Sequence, residues 1–268
     1  MSTENEISLI ICSNNLQLIL DKIKSIQNIN DFKLNYNSDE KIIDTYFDTI
    51  SNSLKKKEFV LRIRKKEDED LVTIKGPPNY EFHGIRRLEN EYKWSKEAFG
   101  LIINQLKEII EIDKKKEIEK YFDKNPINTL HQIGFREIHM RVNYRKIINI
   151  IKTNDPRNNI IYEMDVDNVS FPIKLESKSF NVSVINIEIE KKNKTNDDDS
   201  ILKTISNYLR QEFGTDTVKE WKYGKLILGK GIEQLYKKKE LKNYIYSNGY
   251  LECNALKKIE EFVKEGLI

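Results

Sequence analysis

Along residues 59–65, Phe59, Leu61 and Ile63 alternate with Val60, Arg62 and Arg64, the period of two that sends apolar and polar side chains to opposite faces of a strand. The split recurs where Val72 and Ile74 oppose Thr73 and Lys75, and where Leu88 and Tyr92 oppose Arg87, Glu89, Glu91 and Lys93. Downstream, Met140, Val142 and Tyr144 oppose His139, Arg141, Asn143 and Arg145, and Tyr162, Met164 and Val166 oppose Glu163, Asp165 and Asp167. Ile185, Ile187 and Ile189 oppose Glu188 and Glu190, and near the start Ile7 and Leu9 oppose Glu4, Glu6 and Ser8. These patterns predict strands over residues 3–12, 41–49, 59–65, 71–75, 87–94, 136–151, 159–168 and 181–191. A period near 3.6 predicts amphipathic helices over 16–26, from Ser95 to about Tyr121, and over 200–213, with a Lys-rich helical tail from Gly229. Gly76-Pro77-Pro78 ends a strand, Asn125-Pro126 closes the second helix, and 171–178 reads as an irregular connection.

Strands with one charged and one apolar side form either an open sheet with a wet face or a barrel with charges inside. Amphipathic helices need apolar surface to cover, so packing them outside leaves the charges lining a channel. The prediction is an α+β fold: a closed antiparallel eight-stranded β-barrel with a charged interior and helices outside, over residues 1–228, followed by a helical extension, 229–268.

The chain has 268 residues and 38% hydrophobic content, enough to form a core. Charged residues reach 33% but nearly cancel to +3, which argues against a nucleic-acid partner held by a dense basic patch. Cys12 and Cys253 lie far apart with no Cys or His at metal-ligand spacing, arguing against both a disulfide framework and a zinc site and for a reducing compartment; residues 1–6 lack a basic region followed by an apolar one, and the expected location is the cytoplasm. No apolar run is long enough to span a bilayer. His83, His131 and His139 lack mutual spacing for a nucleophile or zinc centre, and Lys237-Lys-Lys239 reads as a solvated helix face.

Like charges gathered in a channel repel and lose hydration, so they imply a ligand that neutralises them. Arg62, Arg64, Lys75, Arg87 and Arg141 suit phosphoryl oxygens, which guanidinium forks bind in pairs. Glu4, Glu6, Asp165, Glu188 and Glu190 suit a hard cation, Mg2+ or Mn2+. Glu89 and Glu91 fit equally as ion-pair partners of the arginines or as metal or water ligands.

Taken in order, Glu4-Asn-Glu6, Tyr46-Phe-Asp-Thr49, Leu61-Arg-Ile-Arg64, Thr73-Ile-Lys-Gly-Pro77 and Arg87-Leu-Glu-Asn-Glu91 resemble the motifs of the CYTH family of triphosphate tunnel metalloenzymes. Arg141, Asp165, Ile187-Glu-Ile-Glu190 and Lys222 fall where that family places its later arginine, acidic residue, E-x-E pair and carboxyl-terminal lysine. Two positions depart from the pattern: Ser8 stands where the family carries lysine, and His139 where it carries a basic residue two before Arg141. The resemblance implies a divalent-metal-dependent triphosphatase acting on a small triphosphate, inorganic or organic. Arg62, Arg64, Lys75, Arg87, Arg141 and Lys222 would bind substrate; Glu4, Glu6, Asp165, Glu188 and Glu190 would bind metal; Glu4, Glu6, Glu188, Glu190 and Arg64 would carry the chemistry. A class IV adenylate cyclase and a catalytically silent polyphosphate-binding module are the alternatives. Restoring a lysine at Ser8 is expected to raise turnover, unless Lys93 or Lys225 already supplies that charge.

Overall fold

The alternating stretches are strands, several of them longer than alternation shows. The computed structural model describes residues 2–13, 15–79, 85–111, 118–174, 179–192 and 200–268. In chain order these form β1 (Ser2–Ile11), α1 (Leu16–Ser25), β2 (Asn28–Ile29), β3 (Phe32–Thr49), β4 (Val60–Lys66), β5 (Glu69–Lys75), β6 (Ile85–Lys93) and α2 (Lys96–Ile109). There follow α3 (Pro126–Gln132), β7 (Phe135–Lys152), β8 (Ile160–Lys174), β9 (Ser179–Lys191), α4 (Ser200–Phe213), β10 (Val218–Glu220), α5 (Lys225–Lys237) and α6 (Cys253–Lys264). The expected boundary at residues 228 and 229 lies inside α5.

The expectation of a closed eight-stranded barrel is corrected. The described strands form a ten-stranded antiparallel sheet in the order β10-β1-β6-β5-β4-β3-β7-β8-β9, with β2 paired to β3. Two reasons lie in the sequence. The strands β2 and β10 span only two and three residues, too few for alternation to register. The inference of closure also required every amphipathic helix to cover the face opposite the charges, and α5 and α6 do not.

The chain divides into two compact units, the first built chiefly from Lys41–Asn79 and Arg86–Val142, the second from Asn5–Glu40 and Asn143–Ile268. In the first, Phe47, Leu61, Ile63, Val72 and Ile74 pack under Phe99, Ile102, Ile103 and Leu106 of α2. Ser95 starts α2, its side chain accepting from Ala98 N at 3.1 Å. Asn125-Pro126 opens a helix instead of closing one: Asn125 Oδ1 accepts from Ile127 N at 2.9 Å, and proline occupies the first turn, where its missing N–H costs nothing. Asp48 of the Tyr46–Thr49 motif organises a turn, accepting from the backbone of Thr49, Leu54 and Lys55 at 2.7, 2.9 and 3.0 Å.

In the second unit one face of β1, β8 and β9 is apolar along the stretch beneath α1 and α4, and turns polar beyond it at Asn168, Ser170 and Ser183. Ile7, Leu9, Ile11, Tyr162, Met164, Val166, Ile185, Ile187 and Ile189 lie under α1 and α4. The opposite face changes character along its length. Glu6, Ser8, Asp165, Asp167, Asn186 and Glu188 occupy one stretch, whereas Ile10, Val169, Phe171, Ile173, Val182 and Val184, of the same strand parity, pack against α5 and α6 through Leu228, Ile232, Leu235, Ile259 and Phe262. Two helices therefore cover the charge-bearing face where it turns apolar. The crossing of α5 and α6 is close, since a Cβ on Gly231 would stand 2.3 Å from Ile259 Cγ2.

Cys12 and Cys253 form a disulfide, 5.3 Å apart at Cα and 241 residues apart in sequence, so the expectation of unpaired cysteines is also corrected. A bond joining distant parts of a chain leaves no local spacing to read. The expectation of a reducing compartment rested on those cysteines and loses that support. Among the described residues no helix is long and apolar enough to cross a membrane.

Candidate functional site

In the first unit the cationic side chains gather around one carboxylate that the motifs did not mark. Register places Asp44 opposite Arg64, Tyr46 opposite Arg62, and Arg62 opposite Thr73, so alternation brings Asp44, Arg62, Arg64 and Thr73 to one face. Asp44 is fully buried and accepts from Arg64 Nε at 2.8 Å and from Arg141 Nη2 at 2.6 Å, with Arg62 Nη1 at 3.6 Å. Arg62 reaches further, donating to Glu91 at 2.9 Å and lying 3.5 Å from Glu89, which pairs with Lys75 at 3.0 Å. Thr73 Oγ1 donates to Glu91 at 2.6 Å.

Burial pushes the Asp44 carboxyl up, but Arg62, Arg64 and Arg141 outweigh it and hold it well below the ordinary carboxylate value. Burial likewise opposes the ionised Glu91, and Arg62 and Arg64 bring it below its ordinary value. Arg62, Arg64, Arg141 and Lys75 bring four positive charges to the three carboxylates Asp44, Glu89 and Glu91, so these seven groups carry one positive charge over. Arg87 is half-buried on β6. His139 is buried, its ring 6.2 Å from that of Tyr46, and Arg141 lies over the same tyrosine at 5.6 Å.

The second unit holds the acidic residues. Asp165 stands opposite Glu188 and Glu163 opposite Glu190 across β8 and β9; Glu6 and Ser8 of β1 stand opposite Glu190 and Glu188. These carboxylates carry internal cations. Arg145 donates to Asp167 at 2.7 and 2.8 Å, makes a short ion pair with Asp165, and lies 3.5 Å from Glu188. Lys225, buried at the first turn of α5, lies 3.0 Å from Asp167 and makes a short ion pair with Glu188. Lys192 bridges Glu163 and Glu190 at 2.8 Å each.

Burial raises the Asp165 carboxyl to about 7; Arg145 pulls it down, and Asp167, Glu163 and Glu188 add to the rise. Burial also opposes ionisation of Asp167 and Glu188, yet Arg145 and Lys225 bring both below the ordinary value. The buried Oδ1 of Asp165 accepts no hydrogen bond, and neither polar atom of the fully buried Asn143 side chain has a partner. Ser8 Oγ accepts from Asn186 Nδ2 at 2.9 Å.

Of the residues predicted from sequence, Arg62, Arg64, Lys75 and Arg141 lie in the basic cluster, and Asp165, Glu188 and Glu190 lie on facing positions of β8 and β9. Glu6 is buried on β1, whereas the side chain of Glu4 lies outside the described residues. Lys222 is exposed, and Lys225, three residues on, is the buried lysine. Asp44, Arg145, Asp167 and Lys225 were not marked as site residues. Arg145 and Asp167 share strand parity with the assigned Arg141 and Asp165, so a signal existed for them; no residue of Asp44's own strand was assigned, and nothing local distinguishes Lys225 from the other lysines of the tail. Among the described residues no three His, Cys, Asp or Glu side chains are arranged to hold a metal ion.

Several solved structures are similar to this chain. The PH1819 protein from Pyrococcus horikoshii OT3 shares 20% identity over 87% of this chain and 99% of its own, with a TM-score of 0.46. HpAC1 from Hippeastrum, described as having a dominant triphosphatase activity, shares 13% over 89% and 97%, with a TM-score of 0.48. The mimivirus capping enzyme triphosphatase shares 11% over 78% and 89%, with a TM-score of 0.34. No curated protein matches. The family model for the CYTH domain matches residues 19–219, which hold Asp44, Arg62, Arg64, Lys75, Arg141, Asp165 and Glu188, and the chain belongs to the CYTH domain family.

Proposed function

We propose that this protein is a divalent-metal-dependent triphosphatase that cleaves a phosphoanhydride bond of a linear triphosphate, inorganic or organic, and releases orthophosphate. The surplus of buried cations around Asp44 carries this reading. A phosphate chain offers several oxygens at the spacing of guanidinium forks and supplies the negative charge that the cluster lacks. Arg62, Arg64, Lys75, Arg87 and Arg141 bind and orient that chain, and Lys222 adds an exposed positive charge.

For the metal, the donor atoms are of the right kind, with a buried Asp165 oxygen that has no hydrogen-bond partner and carboxylate oxygens on Glu188 and Glu190 of the sort that Mg2+ and Mn2+ take, while among the described residues no three acidic side chains are arranged around one point. Glu4, Glu6, Asp165, Glu188 and Glu190 would hold the ion, which when bound supplies charge neutralisation at phosphoryl oxygens. Arg64 stabilises negative charge developing on the transferred phosphoryl group, and a carboxylate of the acidic set, Glu188 or Glu190, orients the attacking water. The reaction needs no covalent intermediate.

The test is product analysis with tripolyphosphate, ATP and thiamine triphosphate in Mg2+ or Mn2+. Orthophosphate from at least one of them is expected, abolished by excess chelator. Diphosphate with a cyclic nucleotide from ATP would establish a cyclase instead, and binding without product a silent module.

A further inference from the structure

We propose that Asn143 reads the organic end of the substrate: its carboxamide pairs with a nitrogen heterocycle that presents a hydrogen-bond donor beside an acceptor, which makes the preferred substrate an organic triphosphate and not the bare inorganic chain. The inference rests on the triphosphatase reading above and narrows it. Alternation along β7 sends His139, Arg141, Asn143 and Arg145 to one face. Both neighbours of Asn143 on that face are engaged, Arg141 with Asp44 and Arg145 with Asp167. Asn143 itself is fully buried, and among the described residues neither its Nδ2 nor its Oδ1 has a hydrogen-bond partner.

A buried amide gives up water on both atoms, and nearly all such groups in folded proteins regain a partner. Asn186 shows how a buried amide is ordinarily held. It is fully buried on β9 and donates through Nδ2 to Ser8 Oγ at 2.9 Å and to the Leu9 carbonyl at 3.1 Å. Nothing of that kind holds Asn143, and a leucine fills a similar volume without the lost hydration. The two atoms of the side chain restrict what completes it. Phosphoryl oxygens only accept, so a phosphate chain leaves Oδ1 unanswered; a hard metal ion takes oxygen, so it leaves Nδ2 unanswered. A ring edge with an N–H next to a ring nitrogen or a carbonyl answers both at once, the pairing by which asparagine engages adenine. Adenine, cytosine and the pyrimidine of thiamine carry an amino group beside a ring nitrogen, and guanine and uracil carry an N–H beside a carbonyl, so the ligand class is the nitrogen heterocycle. Neutrality fits as well: a base is uncharged, and Asn143 is the neutral position between two arginines on its face of β7.

Asn143→Leu removes both hydrogen-bonding atoms at similar volume, and Asn143→Ala serves if the leucine variant does not fold. The measurement is kcat/KM for tripolyphosphate, for ATP, GTP, CTP and UTP, and for thiamine triphosphate. In wild type one organic triphosphate is expected to exceed the others, and its ring identifies the source of the edge. In the variant, the ratio of kcat/KM for that substrate to kcat/KM for tripolyphosphate is expected to fall about tenfold, within the range of a paired hydrogen bond to a base edge, with most of the loss in KM. The rise in unfolding temperature that the same organic triphosphate gives wild type should shrink in the variant. A ratio unchanged in the folded variants overturns the proposal and leaves Asn143 a buried amide answered by water. A wild type that hydrolyses tripolyphosphate while no organic triphosphate is cleaved or raises its unfolding temperature also overturns it. Failure of the triphosphatase reading is seen separately: no orthophosphate appears from any triphosphate, while an organic triphosphate still raises the unfolding temperature of wild type more than that of the variant.

Discussion

Asp44 holds the basic cluster together by standing under three guanidinium groups, so its charge matters more than its size. Asp44→Asn keeps the shape but leaves Arg62, Arg64 and Arg141 buried around a neutral group; a loss of about 3–5 kcal/mol is expected, the usual cost of breaking a buried ion pair from one side. Urea unfolding measures it, and tripolyphosphate should recover part of the loss in the variant by supplying the missing charge. The pH dependence follows in sign. The folded Asp44 carboxyl lies below its unfolded value, so its contribution is fully present above about pH 4 and is lost as pH falls through the folded value. Ser8→Lys has the opposite logic: Ser8 stands opposite Glu188, which already bears Lys225, so a second ammonium there should lower turnover several-fold, and a gain would show that Lys225 does not serve that position. Strand parity made Arg62, Arg64, Lys75, Asp165 and Glu188 legible in the sequence, because alternation assigns a face. It could not reveal Asp44 as the shared partner or Lys225 as the buried lysine, because both depend on contacts between elements distant in the chain.

Elements were legible where their own side chains dictate them. Amphipathic α1, α2 and α4 and the alternating β4 and β5 follow from local periodicity, and each buries the apolar side that the pattern marks. The pattern weakens where pairing overrides composition. The first half of β3 is a polar run, Asn35 to Lys41, and extends because it is paired, with Lys146 of β7 bonded to Asp39 at 2.8 Å. Likewise β8 continues to Lys174 through Pro172, its register with β9 unbroken to Ser179, although proline argued for an irregular segment there. The remainder of that expected connection, 175–178, lies outside the described residues. The crossing of α5 and α6 permits a test at this scale. Gly231→Ala places a methyl group where Ile259 already stands, and overpacking of this kind costs about 1–3 kcal/mol. Thermal unfolding should show the loss, whereas Gly100→Ala in α2, with nothing near its Cβ position, should show none.

At the scale of the whole molecule, the disulfide was the feature least legible and is the one with the widest reach. Cys12 follows β1 and Cys253 begins α6, so their bond closes a loop over 241 residues of sequence. Closing so long a loop restricts the unfolded chain far more than the folded one, and a chain-entropy argument assigns it about 5 kcal/mol, with measured bonds commonly giving about 2–4. Under reducing conditions the protein should therefore unfold at lower denaturant concentration, and Cys12→Ala/Cys253→Ala should match the reduced wild type. The local consequence is separable from the global one. Once the bond is open, α6 is held by its packing against α5 and the sheet face carrying Val182 and Val184, so amides of α6 should exchange faster than those of β4 and β5, which belong to the other unit's core. Hydrogen exchange on oxidised and reduced protein decides it. Equal loss of protection in α6 and in β4 and β5 would mean that the bond acts only through global stability; loss concentrated in α5 and α6 would mean that it also fixes the helix pair that carries Lys225 to Glu188.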